Sequence, residues 1–177
     1  INSPESEIYV KSRSLYGIFF AKSSITKLQN CYLVEGYTDV LSLHQSGIEN
    51  VVASSGTALT VDQIRIIRRF TPNVTILYDG DEAGIKASLR GIDLILEEGL
   101  NVKVLLLPLE KDPDSFARRH NSSEVLTYLA ENETDFIQFK TRLMMKTAGS
   151  DPVAKARLIT DVIRSIAVIP DTIIRSV

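Results

Sequence analysis

The sequence lacks the cysteines that stabilise small secreted proteins through disulfides and bind zinc in zinc-dependent proteins. It contains one cysteine, Cys31, among 177 residues, which excludes a disulfide framework and any cysteine-based zinc site. It has no tryptophan, and no apolar run comes near the roughly 18 residues needed to span a bilayer. Residues 1–4 carry neither the basic segment nor the apolar run of a signal peptide. We therefore expect a protein of a reducing cytoplasm, with no zinc in this segment and no membrane partner.

The chain also lacks an excess of charge of either sign. It has 20 basic and 22 acidic residues, for a formal net charge of −2. This excludes a protein that holds nucleic acid by bulk charge alone, although local charge and bound cations still permit nucleic-acid binding. Apolar residues make up 44% of the chain, which is enough to bury the core of one ordinary domain. Because the chain has no initiator methionine and ends within a helical pattern, we expect a fragment of a longer protein.

Short apolar runs alternate with helical patterns from residue 31 onward. Four runs are predicted as strands, at 32–34, 51–53, 74–78 and 102–107. The helices predicted around them cover 15–29, 38–46 and 82–98, with one more that Thr60 and Gln63 open as a capping box. Strands that alternate with helices and are apolar on both faces are typical of a parallel sheet covered by helices on both sides.

After Asp114 the sequence predicts helices alone. Their patterns cover 122–130, 134–147 and 153–166, with a linker at 149–152. We therefore expect three parts along the chain: a preceding segment over 1–30, an α/β domain over 31–130, and the truncated start of an all-helical subdomain over 131–177.

Three pairs of carboxylates stand at or just after the ends of predicted strands. The pairs are Glu35 with Asp39, Asp79 with Asp81, and Asp112 with Asp114. Because the carboxyl ends of parallel strands share one edge of a sheet, we expect all six to converge there. Neighbouring negative charges repel unless a cation lies among them. Oxygen ligands without histidine or cysteine favour Mg²⁺ or Mn²⁺, and three pairs would hold two or more ions, as in phosphoryl transfer.

Single pairs also have a structural interpretation. Asp79-Gly80-Asp81 is a common turn sequence, and Asp114 would serve as the cap of a helix that starts at Ser115. Glu35 is harder to explain structurally, because an acid that ends an apolar run has no turn role. The recurrence of pairs at equivalent sheet positions favours metal binding.

Four motifs, in this order along the chain, resemble a known family. They are Glu35-Gly36-Tyr37-Thr38-Asp39, Ser55-Gly56-Thr57-Ala58-Leu59-Thr60, Tyr78-Asp79-Gly80-Asp81-Glu82-Ala83-Gly84 and Lys111-Asp112-Pro113-Asp114. Together they look like the Toprim domain of bacterial DnaG-type primases, and residues 2–6 and 15–17 resemble the segment that precedes it. The acids alone would indicate only the Toprim superfamily, with its nucleases and topoisomerases. The resemblance implies a Toprim-like parallel sheet with helices on both faces, followed by a small all-helical segment.

The same resemblance implies an activity. Such a fragment would be the catalytic core of a DNA primase, a nucleotidyltransferase that uses metal ions and a DNA template to make short RNA primers for DNA replication. The implied partners are single-stranded DNA, nucleoside triphosphates and the RNA primer, with a replicative helicase reached through a domain outside this chain. Because the zinc-binding domain and the N-terminal half of the polymerase domain are absent, we expect the isolated fragment to be weakly active or inactive.

The resemblance also assigns roles to residues. It places Glu35, Asp79 and Asp81 at the catalytic centre, with Glu35 either a metal ligand or the base. It makes ligands of all six acids: Glu35, Asp39, Asp79, Asp81, Asp112 and Asp114. A topoisomerase would need a separate tyrosine-bearing domain, and Toprim recombination mediators tend to have fewer acids, so the full set of six argues against a mediator. The segments that flank the acidic motifs narrow the resemblance to primase.

Five further residues are candidates for binding nucleotide or nucleic acid. The resemblance places Lys11 in a basic strip that holds template or nucleotide. Gly56 and Thr57 belong to a loop whose backbone N–H groups would meet a phosphate, although a plain turn explains the loop equally well. Gly80 would permit close approach of the backbone or simply form a turn. Lys86 would reach a phosphate or project into solvent.

Overall fold

The computed structural model describes residues 4–54, 58–78, 82–108, 112–148 and 151–171. The strands in these residues are β1 (Cys31–Val34), β2 (Val51–Ala53), β3 (Asn73–Tyr78), β4 (Asn101–Leu106) and β5 (Thr134–Asp135). The helices are α1 (Ile18–Leu28), α2 (Tyr37–Gln45), α3 (Val61–Arg68), α4 (Glu82–Glu97), α5 (Pro113–Arg119), α6 (Ser122–Asn132), α7 (Phe136–Ala148) and α8 (Pro152–Ala167). None of the described helices combines the length and apolarity that crossing a membrane requires.

The strands form one sheet in the order β2-β1-β3-β4-β5. Strands β1 to β4 run parallel to their neighbours, so the predicted parallel sheet is confirmed. Each of the four predicted strands lies within one residue of its observed ends. The prediction succeeds because strands buried on both faces appear in sequence as nearly continuous apolar runs.

Alternate side chains of the strands point into two separate cores. Leu33 and Ile76 belong to the core that α1, α3, α4 and α7 cover. Val34 and Leu77 belong to the opposite core, which α2, α5 and α6 cover. Helices therefore cover both faces of the sheet, as the sequence predicted.

The expectation of helices alone after Asp114 is wrong by one short strand. Strand β5 pairs antiparallel with β4, with Val104 opposite Thr134 and Lys103 opposite Asp135. Two residues are too few to show the alternation by which a strand is recognised in sequence. Beside β5, the ammonium group of Lys103 lies 2.8 Å from a carboxylate oxygen of Glu133, which helps to fix the strand at this edge.

The predicted helix over 15–29 begins later, at Ile18. Tyr16 is extended and forms an antiparallel bridge on the outer side of β2: its N–H donates to the Ala53 carbonyl at 2.9 Å and its carbonyl accepts from the Ala53 N–H at 3.1 Å. Gly17 then turns the chain at φ 85°, and a Cβ there would lie 3.2 Å from the Val51 carbonyl oxygen. The edge pairing therefore overrides the helical pattern for Leu15 and Tyr16.

Helices α7 and α8 are connected to α4 through polar contacts of the buried residues Lys140 and Ser165. The ammonium group of Lys140 on α7 donates to the Ser165 hydroxyl on α8 at 2.5 Å. That hydroxyl donates to a carboxylate oxygen of Asp93 on α4, also at 2.5 Å. We call these three residues the Lys140–Ser165–Asp93 relay. Phe136 on α7 also lies in the first core, so packing continues across residue 131, and the domain boundary there stays a prediction.

Candidate catalytic edge of the sheet

Three of the parallel strands lie side by side, and each is followed by one of the acidic pairs. Strand β3 lies between β1 and β4, with Leu33 opposite Ile76 and Ile76 opposite Val104. The carboxyl ends of β1, β3 and β4 therefore form one continuous edge, which is where parallel α/β sheets bind ligands. The sequence after these strands continues into Glu35, Asp79 and Asp112 respectively.

Gly36 begins the turn from β1 into α2 and brings a carboxylate against its own backbone. Its N–H donates to Asp39 Oδ2 at 2.9 Å. The φ of Gly36 is −105°, which any residue adopts. A Cβ at this position would nevertheless lie 2.9 Å from Asp39 Oδ2. A side chain at position 36 would therefore displace the Asp39 carboxylate, whereas the backbone conformation itself permits any residue.

Asp39 joins α2 to α5. It is only 8% exposed, and its Oδ1 accepts a hydrogen bond from the Asp114 N–H at 3.2 Å. Both oxygens of this buried carboxylate thus accept backbone N–H groups, which compensates its removal from water. The structure therefore brings Asp39 into contact with the backbone of Asp114.

Asp114 lies in the first turn of α5 and is held by two donors. Its Oδ1 accepts from the Ser42 hydroxyl on α2 and from Arg118 Nε at 2.8 Å. The Ser42 hydroxyl, and after it the Arg118 guanidinium, hold the pKa of Asp114 below its ordinary value, since both favour the charged carboxylate. The ionised Asp114 carboxylate therefore connects α5 to α2.

Asp112, and not Asp114, caps α5. Its Oδ1 accepts from the Ser115 N–H at 2.6 Å. The helix begins at Pro113, a residue with a suitable fixed φ and no N–H to satisfy. The sequence therefore identified the capped helix but placed its cap two residues too late.

The described residues include four of the six predicted oxygen ligands. Glu35 and Asp112 are exposed at the edge, while Asp39 and Asp114 are engaged in the joint between α2 and α5. Within the described ranges, no three acidic, histidine or cysteine side chains converge as a metal cage. The donors present are carboxylate oxygens, a set that favours a hard dication over zinc. Outside the described residues lie Gly56, Thr57, Asp79, Gly80, Asp81 and the side chain of Lys86.

The chain resembles proteins of known activity. A family model described as Toprim-like matches residues 32–117. The DNA primase of Clostridium acetobutylicum is 46% identical over 141 residues, which cover 79% of this chain and 23% of that protein. A DNA primase domain from Pseudomonas aeruginosa matches with a TM-score of 0.88 at 31% identity, over 99% of this chain and 56% of that one. A DnaG primase catalytic domain bound to ssDNA gives 0.86 at 33% identity, over 99% and 58%.

The chain is a DnaG-type Toprim fragment. It spans between 23% and 29% of the lengths of the curated primases it matches. The resemblance stated from the four motifs is thereby confirmed, and so is the Toprim-like fold.

One buried residue of this Toprim fragment has a role that the sequence did not reveal. Gln63 is fully buried and completes the predicted capping box with Thr60. Its Nε2 also donates to the carbonyls of Lys11 at 3.2 Å and Ser14 at 2.8 Å, and to the Ser54 carbonyl at 3.5 Å. It thereby fixes the segment that carries Lys11 beside the end of β2. Such a long-range contact leaves no local sequence signal beyond the cap itself.

Proposed function

We propose that this chain is the catalytic-core part of a DNA primase, which makes short RNA primers on a DNA template for replication. The main support is the strand order. Strands β1, β3 and β4 are neighbours, and the sequence after each of them continues into an acidic pair. The likeness to curated primases and to solved primase domains supports the same reaction class.

The reaction would join two nucleoside triphosphates. A ribose 3′-hydroxyl attacks the α-phosphorus of the second nucleotide, the bond from that phosphorus to the bridging oxygen breaks, and pyrophosphate leaves. No covalent protein nucleophile is required, so the chain positions the groups and neutralises charge. Divalent cations at the edge, Mg²⁺ or Mn²⁺, would supply the charge that activates the hydroxyl and stabilises the leaving oxygen.

The residues divide into two roles in this proposal. Glu35, Asp79, Asp81 and Asp112 would face the ions and the triphosphate, with Glu35 acting as a ligand or as the base that accepts the hydroxyl proton. Asp39 and Asp114 belong to the same predicted ligand set, and their hydrogen bonds to α2 and α5 additionally hold the edge in place.

The partners follow from the reaction class. The template would be single-stranded DNA, which a structurally similar DnaG catalytic domain binds, and the other partners would be nucleoside triphosphates and the RNA primer. Lys11, Gly56, Thr57, Gly80 and Lys86 remain the proposed contacts to phosphate. A replicative helicase would bind through another domain, in the bacterial cytoplasm.

The direct test is the substitution of Asp79→Asn and Asp81→Asn in the longer protein proposed to contain this fragment. Primer synthesis should fall by about 100-fold or more, because charge stabilisation of this kind contributes that much to rate. Asp161→Asn on α8, where Asp161 pairs with Arg164, is the matched control and should leave primer yield unchanged. Unchanged yield in the first two variants would remove the catalytic assignment.

A titration of the chain itself with Mn²⁺ tests the metal site separately. Calorimetry should record binding to the parent chain and a much weaker signal with Asp79→Asn. Absence of heat from the parent chain would contradict an assembled site at this edge.

A further inference from the structure

Two phenylalanine side chains at the start of α1 are exposed to solvent. Phe19 is 70% exposed and Phe20 is 75% exposed. Their rings meet edge to face, with centroids 5.3 Å apart. The ammonium group of Lys22 lies 4.6 Å from the centroid of the Phe19 ring, within the range of a cation–π contact. Two large apolar rings beside a cation are a costly surface to leave in water without a ligand.

The pair borders a groove of about 510 Å³ at the carboxyl edge of the sheet. Tyr9, Tyr16 and the two phenylalanines line it, together with Ser54. Ser54 directly follows β2 and leads into the loop predicted to meet a phosphate. The aromatic surface therefore reaches the carboxyl end of β2, on the edge where parallel α/β sheets bind ligands.

The segment around the groove has a net positive charge although the whole chain has a net negative one. Residues 4–29 contain four basic and two acidic side chains. Arg13 pairs with Asp62 at 3.7 Å, but in the described part of the chain no carboxylate lies within ion-pair distance of Lys22. Two other acidic side chains contact this segment: Glu5 accepts from the Lys11 N–H, and Glu49 accepts from the Ser24 hydroxyl.

We propose that Phe19 and Phe20 are a stacking platform for bases of single-stranded nucleic acid, with Lys22 beside the sugar-phosphate chain. Exposed aromatic rings that alternate with cations are the combination with which proteins bind single strands without reading their sequence. The excess of basic over acidic side chains in residues 4–29 complements the phosphates of such a strand. The proposal rests on the proposed function, because a primase template supplies the single strand.

The test uses the 177-residue chain and an oligothymidylate that carries one 2-aminopurine. Stacking on the rings should quench the 2-aminopurine fluorescence on binding. Phe19→Leu/Phe20→Leu keeps apolar bulk but removes both rings, and it should weaken binding by about fivefold or more. An abasic oligonucleotide of the same length should bind the parent chain and this variant equally, because only its phosphates are recognised.

Leu28→Ala is the matched control, since Leu28 is 59% exposed at the other end of α1. It should change neither affinity nor quenching. Binding of the oligothymidylate that is unchanged by removal of the rings, or absent in the parent chain, would overturn the proposal. Equal loss for the base-containing and the abasic strand would also overturn it. A parent chain that self-associates and becomes monomeric on loss of the rings would assign the surface to a second copy instead.

The test of the stacking platform and the test of the primase assignment give independent outcomes. Mn²⁺ titration of the same variants reports on the acidic edge and should be unaffected by the ring substitutions. Loss of stacking with intact metal binding supports the platform alone. Stacking without metal binding or primer synthesis would support the platform and contradict the catalytic proposal.

Discussion

Gly36 shows how the absence of a side chain positions a carboxylate at the candidate catalytic edge. Its N–H binds Asp39 Oδ2, and the same oxygen occupies the space where a Cβ would project. Asp39 in turn reaches α5 through the Asp114 N–H. Position 36 therefore controls an acidic residue three positions away and, through it, the start of another helix.

Gly36→Ala should displace the Asp39 carboxylate and weaken its hydrogen bonds. We expect a loss of about 1–2 kcal/mol in the free energy of unfolding, measured by urea denaturation, and weaker binding of Mn²⁺. In an Asp39→Ala background the obstructing oxygen is gone, so the added methyl group should cost much less. Equal costs of Gly36→Ala in the two backgrounds would show that the contact is unimportant, since independent sites give additive changes.

At the scale of elements, the contact between α2 and α5 is made by the charged Asp114 side chain. Ser42 and Arg118 both donate to Asp114 and lower its pKa. A group whose pKa is lowered by folding stabilises the native state while it is ionised, at pH values above its unfolded pKa. That contribution disappears as the pH falls through the lowered pKa of the folded state.

The parent chain should therefore lose stability more steeply on acidification than Asp114→Asn, which has no charge to lose. The difference should develop below about pH 4, where an unperturbed aspartate becomes protonated. Urea denaturation at a series of pH values from about 6 to 2.5 would measure it. Parallel pH profiles for the two chains would show that Asp114 does not carry this dependence.

The same elements show how far the sequence could be interpreted. The four parallel strands were predictable because burial on both faces leaves continuous apolar runs, and the Thr60–Gln63 box was predictable because capping is local. Strand β5 and the extended Tyr16 were not, since each depends on pairing with a distant strand edge. The acidic pairs were located by their positions after strands, but no pattern distinguished the capping Asp112 from the joint-forming Asp114. The predicted roles of Asp79 and Asp81 stay predictions.

At the scale of the molecule, the Lys140–Ser165–Asp93 relay connects the helical pair α7–α8 to the sheet domain. Lys140 is 7% exposed and Ser165 is 1% exposed, so their polar groups have little access to water. The ammonium group of Lys140 lies 3.8 Å from the Asp93 carboxylate, and the Ser165 hydroxyl bridges the two. Removing the bridge would leave a buried charge without its nearest partner.

Ser165→Ala should thus destabilise the chain by about 1–3 kcal/mol. Lys140→Met should cost less, because it removes the buried charge together with its need for partners. Urea denaturation gives the free energies, and hydrogen exchange of α8 shows whether the loss is local. Thr160→Ala, on the exposed side of α8, should be nearly silent. A larger loss in Lys140→Met than in Ser165→Ala would contradict this account of the relay.

The bridge between Tyr16 and Ala53 has a consequence for solubility. Strand β2 is an outer strand of only three residues, and Tyr16 occupies both the N–H and the carbonyl of Ala53 on its open side. At the opposite border, β4 is shielded by the two residues of β5. Unpaired strand borders recruit other chains and seed aggregates, and short or covered ones do not. At each border of this sheet a minimal length of backbone covers part of the open side, which leaves less for a neighbouring molecule to extend.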